Sequence, residues 1–413
     1  MAIVKRVEKH IINREHPYFP MLMDKCHEAK NIYNHANYII RQEFINNGKW
    51  LRYEGIEQLL HDDMEYTDYW NWNLANSSQQ VLRVLDRNWK SFFKAIKEYN
   101  KNPKKFTERP KLPKYIKKNG YKEFALTTQQ VKLKEDGLIH FPKSMNGFII
   151  KPKFIENGYE QFKQARIVPK NDRVVVELVY TINIVEKPDF TTDNYMSIDL
   201  GIDNFAAIVS NTGIAEIING KGLKSVNKYY NKLIAKHKSI FDKSGNKGYS
   251  HLLYSITNKR NDKIDYFMNI VTNYIIDLAI EHDISTIVVG KNVGWKQKCN
   301  LGKKTNQTFV QIPYNLFINK LTYKCEPNGI NVITIDEAYT SGTSFLDNES
   351  PEKEFYNKKR RIYRGLFKTN TGKLINADIN AACQIMRKVF VNAFNKLDNI
   401  GFVMHPVRVN LTF

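Results

Sequence analysis

Two carboxylates stand where a fold could present them together. Asp199 ends the apolar run Tyr195-Met-Ser-Ile-Asp-Leu-Gly-Ile-Asp-Asn204, and Asp378 opens the run Asn376-Ala-Asp-Ile-Asn-Ala-Ala382. Between them, Thr286-Ile-Val-Val-Gly290 ends on a glycine, and Val332-Ile-Thr-Ile335 is followed by Asp336 and Glu337. Clustered carboxylates bind hard cations, because Mg²⁺ prefers oxygen ligands and keeps water and substrate oxygens in its remaining positions. Two such ions about 3.5–4 Å apart can clamp a phosphodiester for hydrolysis. Asp199, Glu337 and Asp378 are the candidate catalytic residues and the candidate ligands of two Mg²⁺ ions. Asp203 lies in the turn after the first run, where Asp is favoured for local hydrogen bonding alone.

The elements that must position these groups follow from periodicity. Residues 2–13 alternate as a strand, and residues 20–100 read as helical, with Tyr33, Ala36, Ile40 and Phe44 at helical spacing. Pro103, Pro110 and Pro113 then break a Lys-dense stretch, residues 101–122, into a basic linker. Strand character returns in residues 123–185, so a small β-barrel joined by the N-terminal strand is expected there. From Asn194 the order is three strands joined by tight turns, a long basic helical stretch, a strand, a helix, a strand and a closing helix. That is the order of an RNase H-like α/β domain, in which Asp199 would end the central strand and Asp378 would open the last helix.

In this topology the fourth strand ends on Gly290, facing the first strand without an acid. The fifth strand lies one spacing further, about 4.8 Å, which a Glu side chain spans. A glycine leaves that path open. Glu337 therefore complements Gly290, with Asp336 as the other candidate, since only one of two strand neighbours can point inward.

Composition narrows the partners. The 413-residue chain carries a formal net charge of +21, which implies a polyanion, with nucleic acid the usual one. No run is long and apolar enough to suggest a membrane span, and the N-terminus lacks signal-peptide features. The four cysteines, Cys26, Cys299, Cys325 and Cys383, form no Cys-x-x-Cys pair. A reducing, cytoplasmic compartment is expected, in a bacterial cytoplasm or nucleoid, or the nucleus of a eukaryotic host. His140 and His405 have no ligand spacing and read as structural.

Met196-Ser-Ile-Asp-Leu-Gly-Ile-Asp-Asn-Phe-Ala206, Tyr339-Thr-Ser341 and Asn376-Ala-Asp-Ile-Asn-Ala-Ala382 resemble the three signatures of the RuvC domain in TnpB proteins. These are transposon-encoded, RNA-guided DNA endonucleases related to type V CRISPR effectors and to Fanzor. Asn88-Trp-Lys-Ser-Phe-Phe-Lys-Ala-Ile-Lys97 and Arg109-Pro-Lys-Leu-Pro-Lys-Tyr115 are similar to the end of the family's recognition region. The resemblance implies a multi-domain α/β protein. Residues 1–16 and 115–190 would form a wedge-like β-barrel, residues 17–114 a helical recognition lobe with its basic linker, and residues 194–413 a RuvC-like nuclease domain. This chain departs from the family at Gly290, where most members place a catalytic Glu, and at Glu337, where many have proline. Ser344 and Asp347 stand in place of a first zinc-binding Cys pair, and Thr371 precedes Gly372 where the second would end. A zinc-free insertion at about 342–375 is expected, ordered by polar contacts or by nucleic acid.

Three basic segments would hold phosphates: Lys104, Lys105, Arg109, Lys111 and Lys114; Lys296, Lys298, Lys303 and Lys304 with Trp295; and Lys358, Lys359, Arg360, Arg361 and Arg364 with Tyr363. Trp295 and Tyr363 could stack on unpaired bases. The partners implied are a guide RNA and a double-stranded target DNA with a short flanking motif, read mainly as shape and backbone. The alternatives are an RNA-guided repressor that binds without cutting, and a DNA transposase, which would leave the basic N-terminal half without an obvious purpose.

Overall fold

The computed structural model describes residues 2–62, 72, 74–184, 192–291, 302–395, 397 and 400–413. The chain divides into two compact units, Met1–Val185 and Glu186–Phe413. Among the described residues no helix is long and apolar enough to cross a membrane.

In the first unit, β1 (Ala2–Asn13) is followed by α1 (Phe19–Asn47), α2 (Tyr53–Asp62) and α3 (Ala75–Lys101). Seven strands complete the set when β1 is joined by β2 (Phe124–Thr127), β3 (Lys132–Leu133), β4 (Ile139–His140), β5 (Ile149–Ile150), β6 (Gln161–Lys170) and β7 (Arg173–Ile184). They form two open sheets, β1-β7-β6-β2 and β3-β4-β5. The expected closed β-barrel is not found among the described residues. The physical reason is that helices, not strand closure, cover the apolar sheet face. Leu126, Ala165, Ile167, Val174, Val176 and Leu178 share one core with Leu22, Ile32, Leu82, Leu85 and Trp89 of the helices. The two-residue strands β3, β4 and β5 also offer too few ladder bonds to close a cylinder.

The basic linker after α3 is irregular but tied down. Asn34 brackets Ile116, donating to its carbonyl at 2.8 Å and accepting from its amide at 2.9 Å. Asn37 donates to the Pro113 carbonyl at 3.0 Å, and Lys30 to that of Lys118 at 2.9 Å. A segment rich in proline cannot satisfy its own backbone, so α1 side chains do it.

The second unit carries a six-stranded sheet. Its strands are β8 (Tyr195–Leu200), β9 (Asn204–Ser210), β10 (Ala215–Asn219), β11 (Thr286–Gly290), β12 (Asn331–Ile335) and, at the edge beside β10, a C-terminal strand Val407–Val409. The order is β12-β11-β8-β9-β10 and then that edge strand. The meander β8-β9-β10 is antiparallel, whereas β11 runs parallel to both β8 and β12. Parallel neighbours need crossovers. These contain α4 (Lys221–Lys243) and α5 (His251–Glu281) before β11, then α6 (Lys303–Gln311) and α7 (Tyr314–Cys325) before β12. A three-stranded sheet follows, of β13 (Arg361–Tyr363), β14 (Leu366–Lys368) and β15 (Leu374–Asn376), and leads into α8 (Ala377–Val389).

Strand alternation sorts the core into two layers. Met196, Ile198 and Leu200 pack with Phe267, Val271 and Ile275 of α5 and Phe317 and Leu321 of α7. On the opposite face Ala207, Val209 and Ile217 pack with Ile379, Ala382, Cys383 and Met386 of α8. The fold is thus mixed α/β, with helices on both faces of the larger sheet.

Candidate active site

Asp199 faces α8 because it shares its strand face with Ser197, opposite Met196, Ile198 and Leu200. Ser197 Oγ donates to the Ala382 carbonyl at 2.7 Å, which fixes strand against helix. Two residues on toward the strand's C-terminus comes Asp199; one turn back toward the helix N-terminus comes Asp378. The two carboxylates are brought together by this crossing. Asn376 caps α8 as its type suggests, its Oδ1 accepting from the amides of Asp378 and Ile379 at 2.9 and 3.2 Å.

Glu337 reaches the same place from β12. Gly290 pairs in register with Ile335, and the Lys291 amide donates to the Ile335 carbonyl at 2.8 Å. Glu337 is two residues beyond Ile335 and so on the same face. Its Oε2 comes within 3.1 Å of where a Gly290 Cβ would stand, and Ile385 Cδ1 fills the rest of that space at 2.5 Å. Asp336 is exposed and turns outward, its Oδ1 accepting from the Ala338 amide at 2.9 Å. Beyond Glu337 the chain folds back: Thr340 Oγ1 donates to the Glu337 carbonyl at 2.8 Å, and Tyr339 adopts φ 69°, a left-handed conformation costly for a tyrosine.

Asp199, Glu337 and Asp378 line one cavity of about 620 Å³, together with Asn204, Tyr339, Arg361 and Arg364. Burial, reinforced by the charges of Asp378 and Glu337, holds the Asp199 carboxyl well above the usual range, against the pull of Arg361. Burial, then Asp336, pushes Glu337 up to about 7 despite Lys388. Burial, then Asp199 and Glu337, raise the Tyr314 phenol, whose hydroxyl donates to the Gly201 carbonyl at 2.9 Å. Asp203 differs from these. Its hydrogen bond to Lys224, at 2.6 Å, keeps it below the usual carboxylate range, as an ion-paired turn residue.

Among the described residues no group of three His, Cys, Asp or Glu side chains is gathered tightly enough to hold a metal ion. The Asp378 carboxylate is instead drawn onto Arg361 Nη2 at 2.7 Å and Asn204 Nδ2 at 2.8 Å. The donor set still fits a hard cation: the described residues of the cavity wall include neither His nor Cys, and the mutual repulsion of its carboxylates calls for positive charge.

Of the expected phosphate-binding residues, Lys104, Lys105, Arg109, Lys111 and Lys114 are all exposed, with Lys105 paired to Glu98 and Lys111 to Glu108. Trp295, Lys296 and Lys298 lie outside the described residues. Lys303 and Lys304 open α6. Lys358, Lys359, Tyr363 and Arg364 are exposed, Tyr363 at 74%. Arg360 is otherwise engaged: its Nη1 meets Glu349 Oε2 at 2.6 Å in a mostly buried pair. The same Glu349 oxygen accepts from the Ser344 amide at 2.7 Å, and Oε1 from Asn370 Nδ2 at 2.9 Å. Asp347 accepts from the Asn370 amide at 2.6 Å and from Thr371 Oγ1 at 3.3 Å. Polar contacts centred on Glu349 thus tie the insertion together. The site partners Asn204 and Arg361 were not legible as such. Asn204 follows the Asp-Leu-Gly-Ile-Asp run directly, and Arg361 was one of four consecutive basic residues.

Comparison with known proteins finds the following similarities. The family model OrfB_IS605, described as a probable transposase, matches residues 173–296, and the Cas12f1-like TNB domain matches residues 314–385. The TnpB-like protein ORF457 of Acidianus two-tailed virus is 23% identical over 93% of this chain and 84% of its own length. Among solved structures, a Cas12f1–sgRNA–target DNA complex has 14% identity and a TM-score of 0.35, covering 92% of this chain and 98% of that one. A CRISPR–Cas12f ternary complex has 15% identity and a TM-score of 0.35, covering 88% and 80%. Both structures are too distant to bear on function. The two family models match successive parts of the chain, the first an OrfB-type probable transposase and the second a Cas12f1-like TNB domain. Along most of its length the chain is similar to a TnpB-like protein, and both family-model matches point the same way.

Proposed function

We propose that this protein is an RNA-guided, Mg²⁺-dependent DNA endonuclease whose RNase H-like (RuvC) site uses Asp199, Glu337 and Asp378. The observation that carries the reading is the approach of Glu337 to Gly290. A carboxylate from just beyond the next strand borders, with Ile385, the space where the fourth strand has no side chain. The similarity to a TnpB-like protein and the charge of +21 support RNA and DNA as partners.

Asp199, Glu337 and Asp378 would hold the ions. When bound, these would supply charge neutralisation at the phosphate and a water deprotonated at neutral pH. The chain's own part is positional. Asp199 is fixed by the Ser197–Ala382 bond, Asp378 by its helix cap, and Glu337 by the turn that Thr340 closes. Arg364, largely exposed at the cavity wall, offers a guanidinium to the phosphate backbone. Hydrolysis adds water to phosphorus and breaks the bond to the 3′ oxygen, leaving a 5′-phosphate and a 3′-hydroxyl.

One observation favours a second reading, RNA-guided binding without cleavage: Asp378 is neutralised by Arg361 within the protein. Plasmid cleavage by the protein with its co-expressed RNA in Mg²⁺ separates the two. Cleavage lost in both Asp199→Ala and Glu337→Ala, with guide-dependent binding retained, supports the nuclease. Binding without cutting by the wild type refutes it.

A further inference from the structure

Among the described residues Arg361 is ion-paired with Asp378, and its position is built rather than incidental. Its Nη2 donates to Asp378 Oδ1 at 2.7 Å while its Nε donates to the Arg364 carbonyl at 3.0 Å, so the turn of the β13–β14 hairpin aims the guanidinium. The preceding residue, Arg360, anchors the base of that hairpin on buried Glu349. Neighbouring arginines therefore serve opposite ends of one device, Arg360 holding the insertion and Arg361 reaching from it to the site. The other oxygen of Asp378 accepts from Asn204, so both face protein donors. The Arg361 and Asp378 side chains are 34% and 21% exposed, placing the pair partly out of water.

We propose that Arg361 is a resident counter-cation of the site: it holds Asp378 while no divalent ion is bound, and ion loading proceeds by its displacement. The insertion that carries Arg361 then sets how readily the site charges. This rests on the proposed reading that Asp378 is a metal ligand. A positive charge hydrogen-bonded to one ligand opposes a divalent cation by direct repulsion and by competition for the oxygen, and both effects weaken with salt. Its effect falls on ion affinity, so Arg361 is a positioning residue.

The test is Mn²⁺ binding to the RNA-free, full-length chain, with free Mn²⁺ counted by electron paramagnetic resonance at low salt. Arg361→Gln is expected to bind Mn²⁺ about tenfold more tightly than wild type. Arg361→Lys, which keeps the charge, should stay within about twofold of wild type. In the wild type, saturating Mn²⁺ should also speed modification of Arg361 by phenylglyoxal several-fold, read by mass spectrometry, which needs no variant to fold. Equal or weaker Mn²⁺ binding by Arg361→Gln at an unchanged melting temperature, or a modification rate indifferent to Mn²⁺, overturns the proposal. If Asp378→Asn binds Mn²⁺ as wild type does, the metal-site reading itself fails, and the counter-cation role with it.

Discussion

Replacing Gly290 by alanine adds one methyl group at the point where the site is most crowded. The new Cβ would stand 2.5 Å from Ile385 Cδ1, 3.2 Å from Ile385 Cγ1 and 3.1 Å from Glu337 Oε2. The Gly290 backbone has no positive φ, so the cost is packing rather than strain. Ile385 is fully buried, and its terminal methyl cannot swing into water. Overpacking of this kind costs about 1–3 kcal/mol, which for a unit of this size lowers the melting temperature by roughly 2–12 °C. Glu337 must also yield by a few tenths of an ångström, and cleavage should slow by about tenfold, since small misplacements of a reacting group are expensive. The remedy is specific. Ile385→Val removes Cδ1, the nearest atom, and alone costs about 1 kcal/mol. Combined with Gly290→Ala it should recover most of the lost stability, giving a favourable coupling in a double-mutant cycle followed by thermal unfolding. Gly290→Ala at wild-type stability and full cleavage, or additive losses in the double variant, would refute the complementarity of Gly290 with its two neighbours.

Three further outcomes follow from the same geometry. Asp336→Asn and Asp203→Asn should leave plasmid cleavage within about threefold of wild type, because one carboxylate faces solvent and the other pairs with Lys224; a thousandfold loss in either would move the second ligand. Glu349→Ala strands Arg360 without its partner and should cost about 3–5 kcal/mol, with hydrogen exchange accelerating across residues 342–376 before the six-stranded sheet. In metal-free buffer the folded-state proton affinity of Glu337 lies above its unfolded value, so the protonated form is favoured by the fold. The contribution of this group to stability is then fullest below about pH 4.5 and is lost as pH rises through about 7, by on the order of 3 kcal/mol. Glu337→Gln should flatten that profile in thermal melts, and an unchanged slope would show that the group is not held as described.

Much of the second unit is readable without coordinates because its elements carry strong local signals. The runs ending at Asp199 and Gly290 are continuous apolar strands, Asn376 is a cap residue before a helix with one apolar face, and the turn after Ser210 contains Thr212-Gly213. Other elements hide their pattern. β6 alternates buried and exposed residues, but Gln161, Lys163 and Gln164 at its start and Pro169 near its end disguise a strand. The edge strand Val407–Val409 has three residues and is ordered by pairing with β10, which is 188 residues or more away in sequence. The first unit misled expectation for a related reason: strand content is local, whereas closure into a barrel depends on what else can cover the sheet, and here the helices do.

The same division runs through the site. Residue type and spacing determined that acids would cluster at strand ends and a helix start, that Gly290 left a gap, and that Glu337 or Asp336 could fill it. Which of the two does so is decided by the parallel register of β11 on β12, a long-range pairing that turns one neighbour inward and the other to solvent. The contact of Arg361 with Asp378 was beyond reach of the sequence for a similar reason. Four consecutive basic residues look alike along a chain, and only the fold of the insertion sends Arg360 to Glu349 and Arg361 to the site. Local chemistry fixes which groups are available; the packing of distant segments fixes which of them meet.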